Sequence, residues 1–166
     1  MARKHARILV TIWDDPEFTA LTSVQQVVYF AVISSKDISW CGVNPLLPQR
    51  FAGIASDITE RKALAAFEML EARRFVVADR ATAEVAARTF VRHDEILRQP
   101  NVTKAMGRAY ELVRSEVIRD SITTELGRSL RDDPDASGWA SLRAAYPELF
   151  NEAKRKASPN PSPNPS

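Results

Sequence analysis

Between residues 45 and 91 the chain carries a short mixed run, a polar turn, a strongly helical stretch and two β-rich runs around a second turn. Few small folds accommodate that order. Residues 47–55 read as a short support helix, Ser56-Asp-Ile-Thr59 as a turn, and 60–74 as a longer helix with basic residues at both ends. Residues 75–91 then form two strand-like runs about Asp79-Arg-Ala-Thr82. The pattern predicts a helix-turn-helix followed by a hairpin wing, with one helix in the DNA major groove and the hairpin beside the backbone. The expected fold class is mainly α with a small β-hairpin wing, a winged helix-turn-helix extended by C-terminal helices.

The helix over 60–74 has a start signal and two faces. Thr59 is a candidate N-cap, and Asp57 with Glu60 is a competing capping pair. Helical spacing places Ala63, Leu64, Phe67, Leu70 and the stem of Arg74 toward a core. Arg61, Lys62, Ala65, Ala66, Met69 and Arg73 fall on the other side, where small alanines between basic residues allow close approach to a groove. In the hairpin, Arg80 at the tip and Arg88 or Arg92 on the return strand are candidate phosphate contacts, which fix register without reading sequence. Arg3, Lys4 and Arg7 add a basic N-terminal arm. The candidate DNA-binding set is thus Arg3, Lys4, Arg7, Thr59, Arg61, Lys62, Ala65, Arg73, Arg80 and Arg88.

With 166 residues the chain is long enough for one domain with a core and an appendage. Its hydrophobic (45 %) and charged (27 %) fractions suit a globular protein of the cytoplasm, with no apolar run of membrane-spanning length and no signal-peptide core. A net charge of +2 is too small to argue for nucleic acid by itself, so the placement of the charges matters more. Taken by composition alone, these are scattered solubilising charges. Acidic residues concentrate elsewhere, in Asp14-Asp15 and Asp132-Asp133-Pro134-Asp135.

Four regions are expected: a mobile basic arm over 1–7, a winged-helix domain over 8–98, a helical extension over 99–150, and a disordered tail over 151–166. Ile8-Leu-Val-Thr-Ile-Trp13 is β-rich and suits the small strand that pairs with a wing. A first core helix should begin at Thr22 or Ser23 and end near Ser35, and residues 38–43 suit a strand or a loop. Beyond the wing, Val102, Met106, Ala109, Tyr110, Val113 and Val117 keep helical spacing, and Ile118, Ile122, Leu126 and Leu130 continue it. A shift of face near Asp120 or Ser121 predicts a bend or a break there, with a short dimer seam as one use of these helices. Trp139 to Phe150 forms a last amphipathic segment. The closing Ser158-Pro-Asn-Pro-Ser-Pro-Asn-Pro-Ser166, after Lys154-Arg155-Lys156, is too rich in proline and too poor in large apolar groups to pack.

Chemistry finds little purchase in this sequence. The five glycines form no phosphate-cradling signature, and Cys41 is the only cysteine, so neither a disulfide nor a thiolate metal cluster can form within one chain. His93-Asp94-Glu95 are neighbours on a connector, poorly placed to converge on one ion. No catalytic residue, metal or cofactor is expected.

Cys41-Gly-Val-Asn-Pro45, Arg73-Arg-Phe-Val-Val77, Phe90-Val-Arg-His-Asp94 and Gln99-Pro-Asn-Val102 with Lys104-Ala-Met106 resemble segments of winged-helix proteins from phages and mobile elements of actinobacteria. The similarity spans residues 6–119 and is to the N-terminal domains of phage replication initiators, or replisome organisers. It implies binding of double-stranded DNA at a replication origin and recruitment of host replication proteins, with 60–74 as reading helix and 79–82 as wing tip. The short helical ending departs from the longer initiators, and no helicase-loader domain is evident. Two other readings stay open: a transcriptional regulator of the same fold, dimeric through its C-terminal helices, and a winged-helix module that binds a protein. The near-neutral net charge and the acidic Glu68 and Glu71 on the reading helix keep the last open.

Overall fold

Thr22 starts the first long helix through a capping box: its hydroxyl accepts from the Gln25 amide at 3.3 Å, and the Gln25 side chain accepts from the Thr22 amide at 3.0 Å. The computed structural model describes residues 5–93 and 95–158. Arg3, Lys4 and the Pro-Asn-Pro-Ser stretch lie outside the described residues. In chain order the helices are α1 (Pro16–Thr19), α2 (Ser23–Ile33), α3 (Glu60–Ala72), α4 (Phe90–His93), α5 (Pro100–Glu111), α6 (Glu116–Asp132), α7 (Gly138–Ala145) and α8 (Pro147–Ala157). The strands are β1 (Val43–Pro45), β2 (Val76–Asp79) and β3 (Glu84–Ala87), antiparallel throughout in the order β1-β3-β2. The protein is therefore mainly helical with one small sheet. No helix among the described residues is long and apolar enough to cross a membrane.

The core of the N-terminal half grows from α2 and α3. Val28, Val32 and Ile33 of α2 meet Ala63, Ala66, Phe67 and Leu70 of α3 in one buried cluster. Phe18 is fully buried beneath Trp13, Tyr29, Phe30 and Phe75, with ring centroids 5.4–6.1 Å away. Asn44 ties β1 to the end of α2 by donating to the Val32 carbonyl at 3.1 Å. Replacing Thr22 with alanine removes the box and should cost about 1 kcal/mol in a urea-unfolding comparison.

The C-terminal helices pack chiefly as two pairs, α5 with α7 and α6 with α8, and α6 also lies against β2. Met106, Ile118, Leu126 and Leu142 are fully buried there and continuous with the N-terminal core. The apolar faces that sequence offers as a dimer seam are thus largely covered within one chain.

Several expectations need correction. Residues 8–13 form no strand: Val10–Asp14 is a turn of 3-10 helix, and β1 takes the place beside β3. The run has β-rich chemistry, but β1 already holds the edge of β3 that it would join. The support helix expected over 47–55 shrinks to a 3-10 turn, Pro48–Arg50. Gly53 at φ 77° donates to the Ile58 carbonyl and turns the chain before a second helix can grow. Phe51 still anchors the segment, packed edge-on against Phe67 at 4.8 Å.

The return strand stops at Ala87 rather than reaching residue 91, because Arg92 and His93 amides turn back onto the Thr89 carbonyl and open α4. The helix break falls at residues 112–115, not near Asp120, with the Ser115 hydroxyl capping α6 by accepting from the Ile118 amide. The final amphipathic segment splits at Tyr146 and Pro147 into two helices. The tail boundary also moves: α8 runs to Ala157, and Lys154, Arg155 and Lys156 sit on it, with Lys156 paired to Asp120.

Candidate nucleic-acid interface

Helix α3 buries Ala63, Ala66, Phe67 and Leu70, and this stripe fixes what the helix shows outward. Leu64, expected in the core, is 41 % exposed. Ala66 takes its place, because close packing on α2 favours the smaller side chain. Arg61, Lys62, Ala65, Glu68, Met69, Ala72 and Arg73 face solvent. The Thr59 hydroxyl accepts from the Lys62 amide at 3.3 Å, so it serves as the N-cap, and the Lys62 ammonium donates to the Asp57 carbonyl at 2.8 Å. Among the described residues Arg61 and Arg73 form no ion pair. Three glutamates against two basic residues leave α3 itself slightly acidic.

Its C-terminal end has a specific form. The Phe75 amide donates to the Leu70 carbonyl and the Arg74 amide to that of Glu71, closing a Schellman turn with Arg74 at φ 62°. Glycine is the usual occupant of that position. The helix therefore ends two residues before the expected 74, and the Arg74 stem is not part of its core stripe.

The hairpin turn, residues 80–83, is held from both sides. The Asp79 carboxylate accepts from the Ala81 and Thr82 amides, and the Ser115 hydroxyl beside it holds its pKa below the usual carboxylate range. Glu84, buried on β3, accepts the Arg114 amide at 3.2 Å and the Ser115 amide at 2.8 Å, while the Arg114 guanidinium donates to the Thr82 carbonyl. The junction between α5 and α6 thus clamps the hairpin tip. Arg80 lies toward α3, donating to Glu71 at 3.1 and 3.2 Å, yet remains largely exposed.

Arg88 is a correction. Rather than facing a phosphate from the wing, it turns inward, donating to the Arg74 carbonyl and pairing with Glu125 of α6 at 2.8 Å. Arg92 (3.4 Å) and Arg128 (2.6 Å) meet the same carboxylate, which is 1 % exposed. Three guanidinium groups therefore surround one buried acid. Arg7 is exposed and paired with Glu95. It borders a cleft with Tyr29 and His93, whose imidazole is held below its usual pKa by partial burial and then by the Arg92 charge.

The structure brings Arg61, Lys62, Ala65 and Arg73 onto one exposed surface and sets Arg80 beside its edge, while Arg7 and Arg88 approach this set only at Arg73, around the C-terminal end of α3. Sequence places Arg74 on the core stripe rather than at a site, and gives no role to Arg114 or Arg128. Arg74 carries a local signal, its place just after a helix end, and Arg128 stands one helical turn from its partner Glu125, whereas Arg114 acts through Thr82 and Glu84, about 30 residues distant. Comparison with protein-family models, curated proteins and solved structures gives no match for this chain.

Proposed function

We propose that this chain is a winged-helix protein that binds double-stranded DNA, placing α3 in the major groove and the β2–β3 turn beside the backbone. The observation that carries the reading is connectivity. Helix α2, strand β1, a 3-10 turn, helix α3 and hairpin β2–β3 follow in order, with β1 paired to the returning strand. A winged helix has that order and that strand arrangement, and here its second helix is reduced to Pro48–Arg50. The outward face of α3 adds support, since Arg61 stands one turn from the exposed Ala65, a small residue that lets a groove approach closely there. The proposed setting is DNA replication initiation in a phage or mobile element, within the cytoplasm of a bacterial host and with host replication proteins as further partners. That setting draws on the family resemblance. Transcriptional regulation by the same surface is the alternative setting.

Fluorescence anisotropy with random-sequence and genome-derived duplexes tests the reading. The Arg61→Ala, Lys62→Ala double variant should bind at least about tenfold more weakly, as two lost charge-assisted contacts imply. Unchanged affinity would remove α3 from the interface. Site selection then separates the settings, because a dimeric regulator prefers half-sites about one helical turn apart.

One observation favours a second reading, a protein-binding module: α3 has more acidic than basic residues and exposes Leu64 and Met69. Absence of duplex binding even at low salt would select it.

A further inference from the structure

The C-terminal end of α3 opens onto a recess of about 450 Å³. Arg73 and Arg74 line it from the helix end, Arg88 from beyond β3 and Arg128 from α6, with Glu17 of α1 on its wall. Beneath, Glu125 shares one negative charge among Arg88, Arg128 and Arg92. Arg73 and Arg74 have no ion pair among the described residues, so cationic charge exceeds anionic charge around the opening. Arg74 holds its side chain there from a left-handed backbone position that glycine would occupy with less strain. Guanidinium forks match the oxygens of a phosphoryl group, and several on separate elements surround it without competing for the same oxygens.

We propose that this recess binds a phosphoryl group, gripped by Arg73 and Arg74 with Arg88 and Arg128 behind them. The group has two candidate sources. One is a backbone phosphate of a duplex lying along α3, since the twelve residue steps from Arg61 to the C-cap Arg73 span roughly 18 Å along the helix axis. The other is a phosphorylated small molecule. Only the first source rests on the DNA-binding reading given above.

The test combines calorimetric titration with pyrophosphate and duplex anisotropy, both at low ionic strength, on the wild type and on two variants. Arg73→Gln with Arg74→Gly should weaken the responding probe about tenfold or more, the loss expected of charge-assisted hydrogen bonds. Its thermal midpoint should hold or rise, because glycine suits the backbone at 74. Glu17→Gln should tighten the same probe severalfold by removing the opposing carboxylate. A response to pyrophosphate alone assigns the small-molecule source; a fall in duplex affinity without pyrophosphate binding assigns the backbone. If neither probe responds to either variant, the site is overturned. Duplex binding that drops for Arg61→Ala, Lys62→Ala but stays intact here, with pyrophosphate silent, overturns the recess and leaves the groove reading standing.

Discussion

Replacing Glu125 with alanine should destabilise the fold by about 3–5 kcal/mol, the cost typical of removing one partner from a buried charge pair. The carboxylate is 1 % exposed and lies 2.6–3.4 Å from three guanidinium groups. Without it, Arg88, Arg92 and Arg128 repel one another, and solvent screens them only in part, since each side chain is about two-thirds covered. The three arginines come from different places in the chain: Arg88 follows β3, Arg92 sits on α4 and Arg128 on α6. Losing the acid therefore loosens the hairpin and α4 from the helical extension together. Glu125→Gln keeps the shape and some hydrogen bonding but not the charge, and should fall between wild type and alanine. Urea unfolding of the three proteins checks the order. A cost below about 1 kcal/mol for alanine would place these arginines in the solvent-screened regime of surface pairs.

Duplex affinity should fall by about two orders of magnitude between 50 and 200 mM monovalent salt if Arg61, Lys62, Arg73 and Arg80 each meet one phosphate. Four contacts at roughly −0.9 apiece give a log–log slope near −3.6. Each alanine substitution among them should remove about one contact from that slope, and a base-reading arginine would stand out by costing ~1–3 kcal/mol only on the preferred site. Arg80 carries an extra expectation. It is paired with Glu71, so Glu71→Gln should free the guanidinium and raise affinity severalfold. Anisotropy at four or more salt concentrations resolves these slopes. A slope near zero would mean that the exposed cations of α3 and the turn do not meet phosphate.

The parts of this fold that were legible in sequence are those set by local chemistry. The capping Thr22, the apolar spacing of α2, the Thr59 cap and the two β-rich runs around Asp79 all lie where local rules place them. Failures came where a distant partner decides. The run from Ile8 to Trp13 has strand-forming residues, yet β1 already occupies the β3 edge, and no local pattern announces that pairing. Leu64 and Ala66 exchange places because α2 selects the smaller residue for the interface. Arg88 reads as a wing cation until Glu125, 37 residues on, draws it inward. The break at 112–115 was readable in part: Ser115 followed by Glu116 is a helix-start signal, but the apolar rhythm of Val113 and Val117 runs through it.

Clamping the hairpin turn against the α5–α6 junction has a consequence for any partner that meets it. A loose wing is ordered on contact and loses conformational freedom as it docks, so part of the interaction energy offsets that loss. Here Asp79, Glu84 and Arg114 have fixed the turn in advance. Complementarity must then come from the other molecule. For a duplex, that means bending or adjusting groove width to a rigid template, and sequences that deform most readily would be preferred at positions the protein never touches.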